Sequence, residues 1–358
     1  MIITLSIWRP HLFAEQLKYA EEHNITVTKV IYFGQWEPTR WTCSHSLIPT
    51  LLDYAIKLEI PLYIIINDTV DDINTITDKY ENIKIIKWET FWFSNIWSEL
   101  ATPFVRADPL SLQYRIDFYN FLTTPNIANY HYVFLNNHPH HHKAIMMDFL
   151  AKYDLIKYGA VSWLQGGGLL SSEELQRDLT EYQYKYWSPK FIKLDINSAE
   201  EVNYYRGKVP KQYNYAFMHL VSESSSYDCF ISEKTPMPLL SMKPFLVIGG
   251  QGFHAHLKEL GFKLYDEVFD YEFDSRDAIE ERCVGIAENI RKISGLSTQS
   301  LRNLYNILLN KLKHNRKLAL SFATTIPDEV KEINNMRDQC IDPEFDLDLF
   351  KIIDDCNN

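Results

Sequence analysis

Two short segments hold residue types that can recognise a phosphorylated ligand. The first is HYVFLNNHPHHHKAIMMDFL, residues 131–150. It carries His131, His138, His140, His141 and His142, with Lys143 directly behind them. The second is SESSSYDCFISEKT, residues 222–235, which ends on the charged pair Glu233 and Lys234 followed by Thr235 and Pro236. A carboxylate such as Glu233 can accept hydrogen bonds from the vicinal hydroxyls of a ribose. An ammonium such as Lys234 meets a phosphate as a point charge. Lys143 and the neighbouring histidines add positive charge of the kind a diphosphate needs. Histidines also invite a metal. Metal sites need ligands converging at fixed geometry, and consecutive His141 and His142 diverge on any regular element, so no metal site is expected. Taken alone, each segment has a plainer reading. Glu233 complements a helix dipole, Lys234 is solvated, and the histidines line a polar loop.

The surrounding pattern gives both segments a position. HYVFLNN reads as a strand, and a helix follows over residues 142–156. Between them lies a strand C-terminus and a helix N-terminus, where open α/β sheets bind ligands and free backbone N–H groups favour anions. FMHLVSES is the next strand, ending near Ser222, and SEKTPMPLLSM starts a helix with Thr235 and Pro236 in its first turn. PFLVIGG reads as a further strand and FHAHLKELGF as a helix ending at Gly261. LYDEVFD is a weaker strand, with helices near 275–293 and 298–321. Gly249, Gly250 and Gly252 allow a ligand close to the backbone, but they make neither a dinucleotide fingerprint nor a phosphate loop.

The first third alternates in the same way. MIITLSI, ITVTKVIYF, PLYIIIND and NIKIIKW read as strands, with helices over 11–23 and 46–58. PLYIIIND is a continuous apolar run, as in a parallel strand buried on both faces. Residues 88–110 are aromatic and irregular, a helix follows near 111–123, and a boundary is expected at 123–129. The resulting division is an α/β lobe over 1–126, a second over 127–326, and an acidic tail over 327–358. The expected architecture is α/β, with two Rossmann-like lobes facing a cleft. Candidate acid–base carboxylates in the first lobe are Glu37, Asp68, Asp71, Asp72 and Glu89, and spacing does not choose among them.

Composition narrows the function classes. The net charge of −11 argues against a protein that coats duplex DNA, which usually carries a basic excess. Cys43, Cys229, Cys283, Cys340 and Cys356 are scattered without a CxxC, which reads as reduced thiols in a cytosol-like compartment. The N-terminus lacks the basic region of a signal peptide, and no apolar stretch reaches the ~18–20 residues of a membrane span. A cytoplasmic location is expected, a host's cytoplasm if the source is a phage.

The two segments together resemble a broad group of bacterial and phage glycosyltransferase-like proteins related to the α-1,3-fucosyltransferases. FISEKTPMPLLSMKPFLVIGGQGFHAHLKELGF is similar to the group's nucleotide-sugar signature, with its Glu-Lys pair at a helix entry. FLNNHPHHHKAIMMDFLAKYDLIKYGAVSW is similar to its upstream segment, where Asn136, His142, Lys143, Ser162 and Trp163 match by position. Lys143 stands where arginine is common, so a bidentate grip on phosphate is lost. The resemblance covers roughly residues 132–275 and leaves the N-terminal lobe uncovered.

The resemblance implies a GT-B-like, metal-independent glycosyltransferase with no required cofactor. Its donor is a nucleoside-diphosphate sugar, GDP-linked sugars being one option. Glu233 would hold ribose and Lys234 phosphate, with Asn136, His142, Lys143, Ser222 and Thr235 completing the donor site. A first-lobe carboxylate would deprotonate an acceptor hydroxyl, Glu89 first and Glu37 second. Trp36, Trp41, Trp88 and Trp92 would form a platform for a glycan or glycoconjugate acceptor. Two alternatives stand beside this. One is a phage-type transferase acting on modified DNA bases, the other a non-catalytic nucleotide-sugar or glycan-binding protein.

Overall fold

A computed structural model describes residues 2–6, 11–33, 47–66, 80–93, 130–136, 140–163, 182–188, 190, 192 and 211–335. The chain divides into two compact units. One comprises Met1–Ser98, Phe230–Ser232 and Phe322–Asn358, the other Glu99–Cys229 and Glu233–Ser321. The boundary expected at 123–129 lies outside the described residues. Within the expected acidic tail, Asp328–Asn335 is a helix with Val330 buried, and residues 336–358 also lie outside the described residues.

The first unit holds a parallel sheet of β1 (Ile2–Ser6), β2 (Lys29–Phe33), β3 (Leu62–Ile66) and β4 (Ile83–Lys87), in that spatial order. Helices α1 (His11–Glu22) and α2 (Leu47–Leu58) precede β2 and β3. Their apolar faces and the sheet bury Phe13, Val30, Tyr32, Leu51, Ala55, Leu62 and Ile64 together. The continuous run LYIII is what a parallel strand covered on both faces requires. Asn82 Nδ2 donates to the carbonyls of Ala55 and Ile60, pinning the end of α2 to the turn before β4.

The second unit holds β5 (Tyr130–Asn136), β6 (Gly159–Trp163), β7 (Ala216–Ser222) and β8 (Phe245–Ile248), all parallel. The spatial order is β6-β5-β7-β8. The chain therefore leaves β5 to one side for β6 and returns on the other side with β7. Helix α3 (His141–Lys152) follows β5, and the short α4 (Lys211–Tyr215) leads into β7. Next come α5 (Pro236–Leu240), α6 (Phe253–Glu259), α7 (Ile279–Ser294) and α8 (Thr298–Ala323). Helix α7 packs along α3 and reaches β5 and β8. The fold class is thus α/β with parallel sheets, compatible with a Rossmann-like arrangement.

Two local expectations change. LYDEVFD is not a strand. Val268 and Phe269 both donate backbone hydrogen bonds to the Tyr265 carbonyl, closing a helical turn that buries Tyr265 and Phe269. In the other direction, GAVSW is strand β6, paired with β5 from Tyr132 opposite Gly159 to Asn136 opposite Trp163. Among the described residues, no helix is long and apolar enough to cross a membrane.

Candidate functional site

The order of the second sheet creates a switch point between β5 and β7. Connections leave these two strands in opposite directions, and the region outside their carboxyl ends is the usual ligand position of such sheets. The ladder pairs Val133 with His219, and both strands run on to Asn136 and Ser222. Asn136 is held by Ser162 on the far side: its N–H donates to Ser162 Oγ at 3.1 Å and its Nδ2 to the Ser162 carbonyl at 3.2 Å. That leaves Asn136 Oδ1 and Ser222 Oγ buried with no hydrogen-bond partner among the described residues. Buried polar atoms without partners are uncommon, and they mark a place for a ligand or a water.

Helix α3 delivers the next two groups. His140 is its N-cap, in extended conformation, and the N–H groups of Lys143 and Ala144 bond to the His140 carbonyl. This geometry turns His142 and Lys143 inward. His142 Nε2 donates to the Glu223 carbonyl at 3.0 Å. Burial, with Lys143 beside it, lowers its pKa to about 3, so the ring is neutral. Lys143 is only 6% exposed, and its ammonium has no hydrogen-bond or ion-pair partner among the described residues. Burial lowers its pKa to about 7, with Lys234 pushing the same way and Glu233 and Glu223 opposing.

The loop from β7 to α5 supplies the rest. Glu223 follows Ser222 and is fully buried, and its Oε1 accepts the hydroxyl hydrogen of Thr235. Glu233 and Lys234 pair at 2.7 Å, and the Lys234 ammonium also donates to Ser224 Oγ at 3.2 Å. Lys234 and Glu233 keep 25% and 15% of their side-chain surface, so this pair stays open to a ligand while Lys143 lies deeper.

Two devices hold the loop in place. Gly250 N donates to the Asp228 carbonyl, and a Cβ at Gly250 would sit 2.5 Å from that carbonyl group. Only glycine permits this approach. Gly250→Ala is expected to cost about 1–3 kcal/mol, read as a lower urea midpoint with the slope unchanged. Arg282, buried at the start of α7, donates to the carbonyls of Ser226, Gly249, Arg276 and Asp277. It thereby ties three turns to one guanidinium.

The residues expected to bind donor therefore lie in one region: Asn136, His142, Lys143, Ser222, Glu233, Lys234 and Thr235 all belong to the β5 and β7 carboxyl ends and their loops. Glu223 belongs with them and was not singled out by the sequence reading. Its only signal was a carboxylate directly after a strand.

The acceptor side differs. Trp88 and Trp92 are each 1% exposed. They pack edge-on against Phe91, at 5.2 and 5.3 Å between ring centroids, because a helical turn over residues 91–93 folds this aromatic run inward. That corrects the expected platform: these two rings are core and offer no face to a sugar. Glu89 is paired with Lys87 at 2.6 Å, and both side chains keep part of their surface. Glu37, Trp36 and Trp41 lie outside the described residues. Among the described residues, no three His, Cys, Asp or Glu side chains converge as metal ligands. No protein-family model, curated protein or solved structure matches the chain.

Proposed function

We propose that the protein is a glycosyltransferase that binds a nucleoside-diphosphate sugar at the β5/β7 switch point and transfers the sugar to an acceptor hydroxyl. One observation carries this reading. Residues about 90 positions apart, Asn136, His142 and Lys143 on one side and Ser222, Glu223, Glu233 and Lys234 on the other, meet around buried polar groups that lack partners among the described residues. Glu233 is suited to ribose hydroxyls and Lys234 to a phosphate. Lys143, more deeply buried than the Glu233–Lys234 pair, lies where a departing diphosphate would gather charge; a bound dianion favours its protonated form, and a cation held there lowers the barrier of the transfer step. On this reading the cations perform the stabilisation that a metal performs elsewhere, and the two units correspond to the lobes of a GT-B-like enzyme. The resemblance to the fucosyltransferase-related group supports the same assignment.

Calorimetry with GDP-, UDP- and CMP-linked sugars tests it. One nucleotide class is expected to bind with micromolar affinity, about −8 kcal/mol, while free sugars do not bind. Failure of all three classes would remove the donor reading. A second reading, a nucleotide-sugar-binding protein without turnover, is favoured by the burial of Trp88 and Trp92, which takes both rings out of the expected acceptor platform. Donor binding without any release of nucleoside diphosphate across an acceptor panel would select it.

A further inference from the structure

The deep lysine has a chemistry that donor binding does not use. We propose that Lys143 is an imine-forming amine, whose side chain condenses reversibly with aldehydes carrying a phosphate group that enter the site at the ends of β5 and β7. The Lys143 side chain is buried and has no hydrogen-bond or ion-pair partner among the described residues. Glu223 and Glu233 are the carboxylates that face it, and both are engaged elsewhere. Glu223 accepts from Thr235, and Glu233 pairs with Lys234. Lys234 faces Lys143 with a like charge, and His141 and His142 flank it on α3. His142 is neutral and spends its Nε2 hydrogen on the Glu223 carbonyl. A buried lysine beside a second cation is the arrangement that exposes a free amine at neutral pH, and the pKa lowered to about 7 agrees. Lys234 keeps a quarter of its side-chain surface and supplies the phosphate grip.

The step balances without any co-reactant. The Lys143 nitrogen lone pair attacks the carbonyl carbon and forms the C–N bond. The two hydrogens of the neutral amine end on the carbonyl oxygen, which leaves as water as C=N forms. This goes beyond the transferase reading and does not require it.

The test uses pyridoxal 5′-phosphate with borohydride reduction at about pH 7.5, followed by peptide mass mapping. Exposed Lys18, Lys57 and Lys84 serve as references. The Lys143 peptide is expected to carry the reduced adduct at least about ten times faster than theirs, because the free-amine fraction outweighs burial. Pyridoxal without the phosphate is expected to lose that preference. Lys143→Arg is expected to remove the fast adduct and leave the reference peptides unchanged. The inference is overturned if Lys143 reacts no faster than Lys18, Lys57 and Lys84, or if pyridoxal labels it as fast as the phosphate ester does. Calorimetry on the unmodified protein separates the two readings. Donor binding without fast labelling overturns the imine inference alone, and fast labelling without donor binding overturns the transferase reading alone.

Discussion

Lys143→Met is expected to stabilise the protein and to abolish nucleotide-sugar binding in the same molecule. A buried cation without a partner among the described residues costs folding free energy, and a methionine of similar length fills the space without that cost. The gain is expected to be about 1–4 kcal/mol below pH 7. The sign with pH follows from the two protonation states. The folded pKa is about 7, below the ordinary lysine value of 10.5. Below pH 7 both folded and unfolded chains carry the proton, and the penalty is complete. Between pH 7 and about 10.4 only the unfolded chain binds it, so the wild type gains up to about 1.4 kcal/mol per pH unit from this group. The advantage of Lys143→Met should therefore shrink as pH rises across that window. Urea titrations of both proteins at about pH 6.5 and pH 9.5 check it. Lys243 has a similarly lowered pKa of about 7, caused by burial, but its ammonium donates to the carbonyls of Asn214 and Ala216. Lys243→Met should destabilise, because it strands those carbonyls. Opposite signs at two buried lysines would distinguish a group kept for a ligand from one kept for the fold. Equal destabilisation at both would make Lys143 a structural residue.

Much of this site was legible in the sequence, because its parts are local. Strands β5, β7 and β8 are runs of apolar residues, and their polar ends at Asn136 and Ser222 mark the carboxyl edge directly. Non-local features were harder to read. Strand β6 is five residues with a glycine and a serine, and its pairing with β5 is what makes it a strand. Without β6 the order β6-β5-β7-β8 cannot be written, and the switch point stays hidden. Glu223 sits among serines, and its burial depends on Thr235 arriving twelve residues later. The burial of Lys143 likewise depends on the β7–α5 loop packing against the start of α3, where His142 reaches Glu223. Trp88 and Trp92 show the same limit in reverse. An aromatic-rich segment has the composition of a sugar platform, yet their 1% exposure makes it core.

Lys234→Met is the second large effect expected, and it should act on the ligand alone. The Lys234–Glu233 pair is partly open to solvent, and such pairs contribute about 0–1 kcal/mol to stability. Removing the cation should thus leave the urea midpoint nearly unchanged. It should weaken nucleoside-diphosphate binding at least about 100-fold, because a charge-assisted contact to phosphate is lost from a partly buried site. Glu233→Gln separates the two ends of the donor. An amide keeps an acceptor oxygen for ribose, so the nucleoside contact weakens modestly, by about tenfold. It also frees Lys234 from its counter-charge, which favours an anion. Inorganic diphosphate should then bind Glu233→Gln as tightly as wild type or tighter, while the nucleotide sugar binds less well. A purely structural ion pair gives a different pattern: both variants lose stability and neither discriminates between the two ligands. Parallel calorimetry with diphosphate and nucleotide sugar therefore decides whether Glu233 and Lys234 address different parts of one donor, as their placement beside Lys143 and the buried ends of β5 and β7 implies.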